Sequence, residues 1–198
     1  MLPLFVLLYS IFLYMSRRVT FLIVFHLIAS YCFAQTLDIS ITRGTDIDFT
    51  FNTIRQYTNG IIRPNATEFR IESTAEWDLY VGTQTTTPGQ WDLLTSYSSA
   101  GSSTVPVSIL EIRAVSPGGT SQQNTFFQLQ DVSNPVYLIG SAADDARVNS
   151  GVGTNAPGDG SNDPFTHRFR IDYKLTPGMG YRPGVYSLTV VFTLAEDL

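Results

Sequence analysis

Long parts of this chain alternate apolar and polar residues. In residues 186–194 ("YSLTVVFTL"), Tyr186, Leu188, Val190, Phe192 and Leu194 fall on one side and Ser187, Thr189, Val191 and Thr193 on the other. Residues 167–175 ("HRFRIDYKL") set Phe169, Ile171, Tyr173 and Leu175 against Arg168, Arg170, Asp172 and Lys174. A period of two is that of a strand with one buried face. Between these runs lies the Pro/Gly connector "TPGMGYRPG", which predicts a hairpin with a long loop.

The same pattern fills the first half of the domain. "TLDISI" places Leu37, Ile39 and Ile41 on one face, and "DIDFTF" does so with Ile47, Phe49 and Phe51, the two joined through Arg43, Gly44 and Thr45. Asn59-Gly60 is the dipeptide suited to the positive φ angles of a tight turn. "EFRIES", "EWDLYV", "VSILEIRAV", "FFQLQ" and "PVYLIG" complete the predicted strands, with Trp77, Leu79 and Val81 facing in. No window of a dozen residues shows a 3.6-residue period, and no helix is expected there. About nine or ten short strands separated by turn signals predict an all-β, antiparallel β-sandwich, Ig-like or jelly-roll-like. Two long insertions interrupt the pattern: residues 82–104, rich in Thr, Ser and Gly, and residues 141–164, acidic and rich in Gly and Asn. Loops of that length are usually functional or disordered.

The first 34 residues are different in kind. Residues 15–34 ("MSRRVTFLIVFHLIASYCFA") carry a basic start at Arg17 and Arg18, an apolar run from Val19 to Ile28, and a small residue, Ala34, before Gln35. That is the make-up of a secretory signal peptide. Met15 is then the expected start, with "MLPLFVLLYSIFLY" an upstream extension, and cleavage after Ala34 leaves one domain over residues 35–198. A membrane anchor is the rival reading, but each apolar run falls short of the roughly 18–20 residues that span a bilayer. Lipid attachment at Cys32 is a third, in which the bulky Tyr31 stands where lipidation motifs carry a small residue.

Composition narrows the function. The 164 residues after Ala34 are enough for a core that folds without metal or disulfide. The one cysteine, Cys32, lies in the leading segment, so the domain holds no thiol. Ten Lys and Arg stand against 17 Asp and Glu, a charge of −7 that disfavours nucleic acid as partner. Lys174 is its only lysine and His167 its only histidine. With no G-x-S-x-G and a single histidine, a Ser-His-Asp triad is not expected. The carboxylates Glu68, Glu72, Glu76 and Asp78 read as solvated strand faces, and no enzyme activity is expected.

Three features remain as candidate sites. Asp159, Ser161 and Asp163 alternate in "DGSND", the spacing by which a calcium loop gathers oxygens, though Pro164 follows and no distal Glu is in register. Asp144 and Asp145 could add ligands, and the alternative is a solvated acidic loop. Trp91 and Tyr97 sit in the first insertion, where exposed aromatic rings could stack on a sugar or anchor a protein; for Trp91 a ring folded down as a lid over the sandwich is the preferred reading. "NAT" at Asn65 fits a glycosylation sequon.

The run from "YRPGVY" into Phe192-Thr193-Leu194 resembles the closing strand of the bacterial WxL cell-surface domain, with Phe192 in place of the tryptophan, and Trp77-Asp78-Leu79 resembles that family's other Trp-x-Leu. "QTLDISI" resembles the alternating N-terminal extension of pilin-like subunits. These resemblances imply a surface β-sandwich. The combined expectation is an exported, non-catalytic protein that binds or assembles at the cell surface, its partner a protein or glycan. It would meet the membrane only during export and could form a homo-oligomer. The alternatives are a fimbrial subunit donating a strand and a carbohydrate-binding module.

Overall fold

In the computed structural model the described residues are 35–115, 125–140 and 155–196. The leading segment with Cys32, and the acidic pair Asp144 and Asp145, lie outside them. The described residues form eleven strands: β1 (Leu37–Arg43), β2 (Ile61–Ser73), β3 (Trp77–Gln84), β4 (Asp92–Ser96), β5 (Leu110–Val115), β6 (Phe127–Gln128), β7 (Val136–Ile139), β8 (Gly158–Asp159), β9 (Arg168–Leu175), β10 (Gly184–Ser187) and β11 (Thr189–Glu196). All pair antiparallel. One sheet runs β1-β2-β9-β5-β6 with β8 on β2, and another runs β11-β3-β7, with β4 and β10 paired beside it. This is an all-β sandwich, and Thr36–Leu198 clusters as one compact unit.

The alternating residues build the core between the layers. Phe69 and Ile71 of β2, Phe169 and Ile171 of β9, and Trp77, Leu79 and Val81 of β3 are all fully buried. Each such side chain contributes about 1.5–3 kcal/mol. Aromatic rings meet across the layers: Phe69 lies 5.4 Å from Phe192 of β11, and Trp77 lies 6.1 Å from Phe169.

Several connections differ from the sequence expectation. The two clearest alternating runs do not form a hairpin: β9 lies between β2 and β5, while β11 pairs β3 in the other sheet. A Pro/Gly connector is equally able to carry the chain across a sandwich. In "DIDFTF", Ile47, Phe49 and Phe51 pack on the core, yet the run joins no ladder among the described residues. Asn59-Gly60 closes a six-residue helix, α1 (Ile54–Asn59), rather than a hairpin turn. Thr53 and Gln56 form a capping box there, and Gly60 takes φ 79° as the helix stops. A second helix, α2 (Pro164–His167), has four residues. Helices this short cannot show a period.

β2 also runs longer than expected, through Pro64. Its ladder with β9 breaks between Arg63 and Thr67. Asn65 there has φ 48°, and its N–H donates to Asp172 Oδ1 at 2.7 Å. Asp172 is 4% exposed and also accepts from Arg113 Nε at 2.9 Å, tying β2, β9 and β5 together where the backbone bonds lapse.

Candidate contact surface

The first insertion is not a free loop. β3 pairs β11 until Gln84 meets Thr189, and pairing resumes where Asp92 of β4 meets Ser187 of β10. β3 and β4 therefore run on beside β10 and β11 as one long ribbon, with residues 85–91 looped out. Asp92 secures that excursion, both carboxylate oxygens accepting from Thr86 N at 3.0 Å. Beyond β4, Tyr97 N donates to Pro183 O, and Ser102 and residues 180–182 exchange further backbone bonds.

This ribbon separates the two aromatic candidates. Trp91 is half-buried and packs against the core, and its Nε1 is buried without a hydrogen-bond partner among the described residues. It is the lid of the two readings. Tyr97 is 70% exposed at the far end of β4. Six residues of extended chain set the two about 20 Å apart along the strand, so they do not share one ring-sized ligand. Instead, Tyr97 has exposed apolar company on the ribbon and the connector leading into it: Leu94 at 62%, Met179 at 63% and Val185 at 41%. Sequence reasoning missed these three, since pairing of β4 with β10 had no signal in the Ser- and Thr-rich insertion.

The "DGSND" turn spends its oxygens on itself. Asp159 Oδ1 accepts from Ser161 N at 2.8 Å and Oδ2 from Asn162 Nδ2 at 3.0 Å. Ser161 Oγ accepts from Arg70 at 3.0 Å, and the Asp163 carbonyl accepts from His167 N as α2 begins. Among the described residues no three His, Cys, Asp or Glu side chains gather closely enough to hold a metal ion.

His167 is 3% exposed. Its Nε2 lies 2.9 Å from the Ala156 carbonyl, which can only accept, so Nε2 carries the proton; Nδ1 faces the Thr166 hydroxyl at 2.8 Å. The ring also packs on Trp77, 5.7 Å between centroids. Asn155, beside it at 0% exposure, donates to the Trp77 carbonyl and to Asp78 Oδ1.

On the outer face of the first sheet, Glu68 receives Arg168 at 2.8 Å and Arg170 at 3.3 Å, with Arg43 at 3.7 Å. Burial pushes the Glu68 carboxyl up, but the hydrogen bonds and charges of Arg168 and Arg170 outweigh it and hold the group below the usual carboxylate range. Arg113 and Lys174 reach over Phe126, and Lys174 pairs with Glu111 at 2.6 Å.

The β1 margin of the sandwich leaves apolar side chains uncovered. In β1, Leu37, Ile39 and Ile41 register with Ser73, Ile71 and Phe69 and so face the core side. Leu37 is nevertheless 36% exposed and Ile41 49%. β1 touches β11, which ends the other sheet. No protein-family model matches this chain, and no curated protein matches it.

Proposed function

We propose that this chain is an exported, non-catalytic β-sandwich that acts by contact, binding or assembling at or beyond the cell surface. The observation that carries the reading is the ribbon of β4 and β10 with the connector leading into it, where Leu94, Tyr97, Met179 and Val185 remain exposed. Exposed apolar and aromatic groups gathered in one region mark contact sites. The commitment of His167 to its carbonyl and packing contacts supports the non-catalytic part. Export rests on the signal-like residues 15–34.

The test is direct. The exported product is incubated with producing cells and with their separated envelope protein and glycan fractions. Tyr97→Ala and Leu94→Ala lower retention about tenfold with an unchanged melting temperature. Retention unaffected by both changes, or turnover of an ester, peptide or glycoside that is lost in His167→Ala, contradicts the proposal. A second reading, a fimbrial subunit that donates β1, draws on the exposure of Leu37 and Ile41 on a strand facing the core. Concentration-dependent laddering on unheated gels distinguishes it.

A further inference from the structure

We propose that Arg43, Arg70, Arg168 and Arg170 form an anion-binding patch on the outer face of the first sheet, and that its occupant is an acidic glycan. This deepens the contact reading above by naming a partner class, on a face other than the ribbon.

The patch follows from strand register. On this face β2 presents Glu68 and Arg70, and β9 sets Arg170 opposite Glu68 and Arg168 opposite Arg70. β1 adds Arg43 beside Glu68 from the other side. Four guanidinium groups therefore share one carboxylate, which leaves three positive charges unbalanced. The other two cations of the face are matched one to one, Arg113 by Asp172 and Lys174 by Glu111. Arg70 and Arg168 are like charges directly opposed across two strands, an arrangement that lowers the stability of a sheet. Folded proteins break such local rules at functional positions.

The guanidinium groups are also held in place. Arg168 donates to Glu68 Oε1 at 2.8 Å, Arg170 to Glu68 Oε2 at 3.3 Å, Arg43 to the Asn65 carbonyl at 2.8 Å and Arg70 to Ser161 Oγ at 3.0 Å. Each of these bonds uses one of the five donors that a guanidinium offers. The side chains of Arg43, Arg168 and Arg170 are 57%, 41% and 35% exposed, so donors remain for a ligand. A positioned fork of this kind takes a carboxylate through two parallel hydrogen bonds.

Charge and surroundings select the glycan. The Debye length in physiological salt is about 8 Å, so the distant carboxylates that bring the domain to −7 do not cancel the patch at contact. They do oppose a long, dense polyanion, and Asp38, Glu72 and Asp159 register beside one another at the edge of the patch. Duplex DNA, with one charge per about 1.7 Å of its axis, would run onto them. A sugar chain carries its acidic groups further apart. In register the arginines adjoin Ser40, Glu68 and Val115, none of them the aromatic anchor on which protein interfaces depend. Donors and charge without such anchors suit a hydroxyl-rich acidic chain.

The test titrates the exported product with polygalacturonate, which has a carboxylate on each sugar, and with its fully methylated ester, which has none. The acid form binds, with an affinity that falls several-fold between about 50 and 200 mM salt, and the ester does not bind. Arg168→Gln lowers the affinity about tenfold, and Arg168→Lys, which keeps the charge and loses the fork, about threefold. Arg55→Gln, on the exposed side of α1, changes the net charge as much as Arg168→Gln and lowers the affinity less than twofold. All three variants melt within about 2 °C of the wild type, because the Arg168 pair with Glu68 is partly exposed. An acid form that fails to bind at either salt, an ester that binds as well, or Arg55→Gln as damaging as Arg168→Gln would each overturn the patch. Equal or tighter binding of polyglutamate, duplex DNA or phosphatidylglycerol vesicles would overturn the glycan as its occupant. Retention through the ribbon is read with Tyr97→Ala and Leu94→Ala, so failure here and failure of that reading are distinguishable.

Discussion

Asp172→Ala removes the side chain that holds β2 across its irregular stretch. Two bonds are lost: Arg113 Nε at 2.9 Å and Asn65 N at 2.7 Å. Breaking a buried ion pair from one side costs about 3–5 kcal/mol, but Arg113 is 35% exposed and lies over Phe126, so its guanidinium regains water and keeps a contact. The Asn65 N–H, in an exposed residue, also finds water at part of the usual penalty of about 1–3 kcal/mol. We expect a net loss of about 2–4 kcal/mol, and about half that for Asp172→Asn, which retains an acceptor. Urea unfolding reads this as a fall in midpoint of about 1–2 M with unchanged slope. A double-mutant cycle with Arg113→Ala should return a coupling of about 1–2 kcal/mol. A loss below about 0.5 kcal/mol, or no coupling, would refute the claim that Asp172 substitutes for the missing ladder bonds.

Other outcomes follow from the same structure. Gly44 has φ 76°, and a Cβ there would meet the Ala66 carbonyl oxygen at 1.8 Å, so Gly44→Ala should cost at least about 2 kcal/mol by thermal unfolding. Trp91→Ala, which removes a ring packed on the core, should cost about 2 kcal/mol, whereas Tyr97→Ala should stay within about 0.5 kcal/mol. Because the Glu68 carboxyl is held below its ordinary value, its contribution is present above about pH 4.3 and is lost as pH falls through the folded value. Glu68→Gln should therefore flatten the acid limb of stability, by about 0.5–1 kcal/mol given the exposed arginines. Millimolar calcium should move the melting temperature by less than about 1 °C, since Asp159 already accepts two bonds within its own turn; a rise abolished by Asp159→Ala would show otherwise.

The alternation of Phe69, Ile71, Trp77, Leu79, Phe169 and Ile171 made the sandwich and most of its core legible, because burial on one face leaves a period of two in the chain. Partnership was not legible. β9 and β11 share a pattern and a connector, yet they sit in different layers, and periodicity carries no information on which strand lies beside which. The run through Ile47, Phe49 and Phe51 shows the same limit: side-chain burial writes alternation even where the backbone joins no ladder among the described residues. β4 escaped notice because a ribbon with both faces partly in water needs few apolar residues. Trp91 and Tyr97 share one Ser- and Thr-rich insertion in the sequence, and the course of the ribbon separates the packed ring from the exposed one. The acidic turn resembled a cation loop because the residues that bind calcium are those that cap turns.

Hydrogen exchange along the ribbon, followed by mass spectrometry with and without the envelope fraction that retains the protein, tests most directly the claim that this domain works through contact. The account predicts that amides of residues 93–97 and of Gly184–Ser187 gain protection when that fraction is present, while those of β9, in the middle of the first sheet, do not change. Unchanged exchange along the ribbon in the presence of a fraction that retains the protein would contradict it.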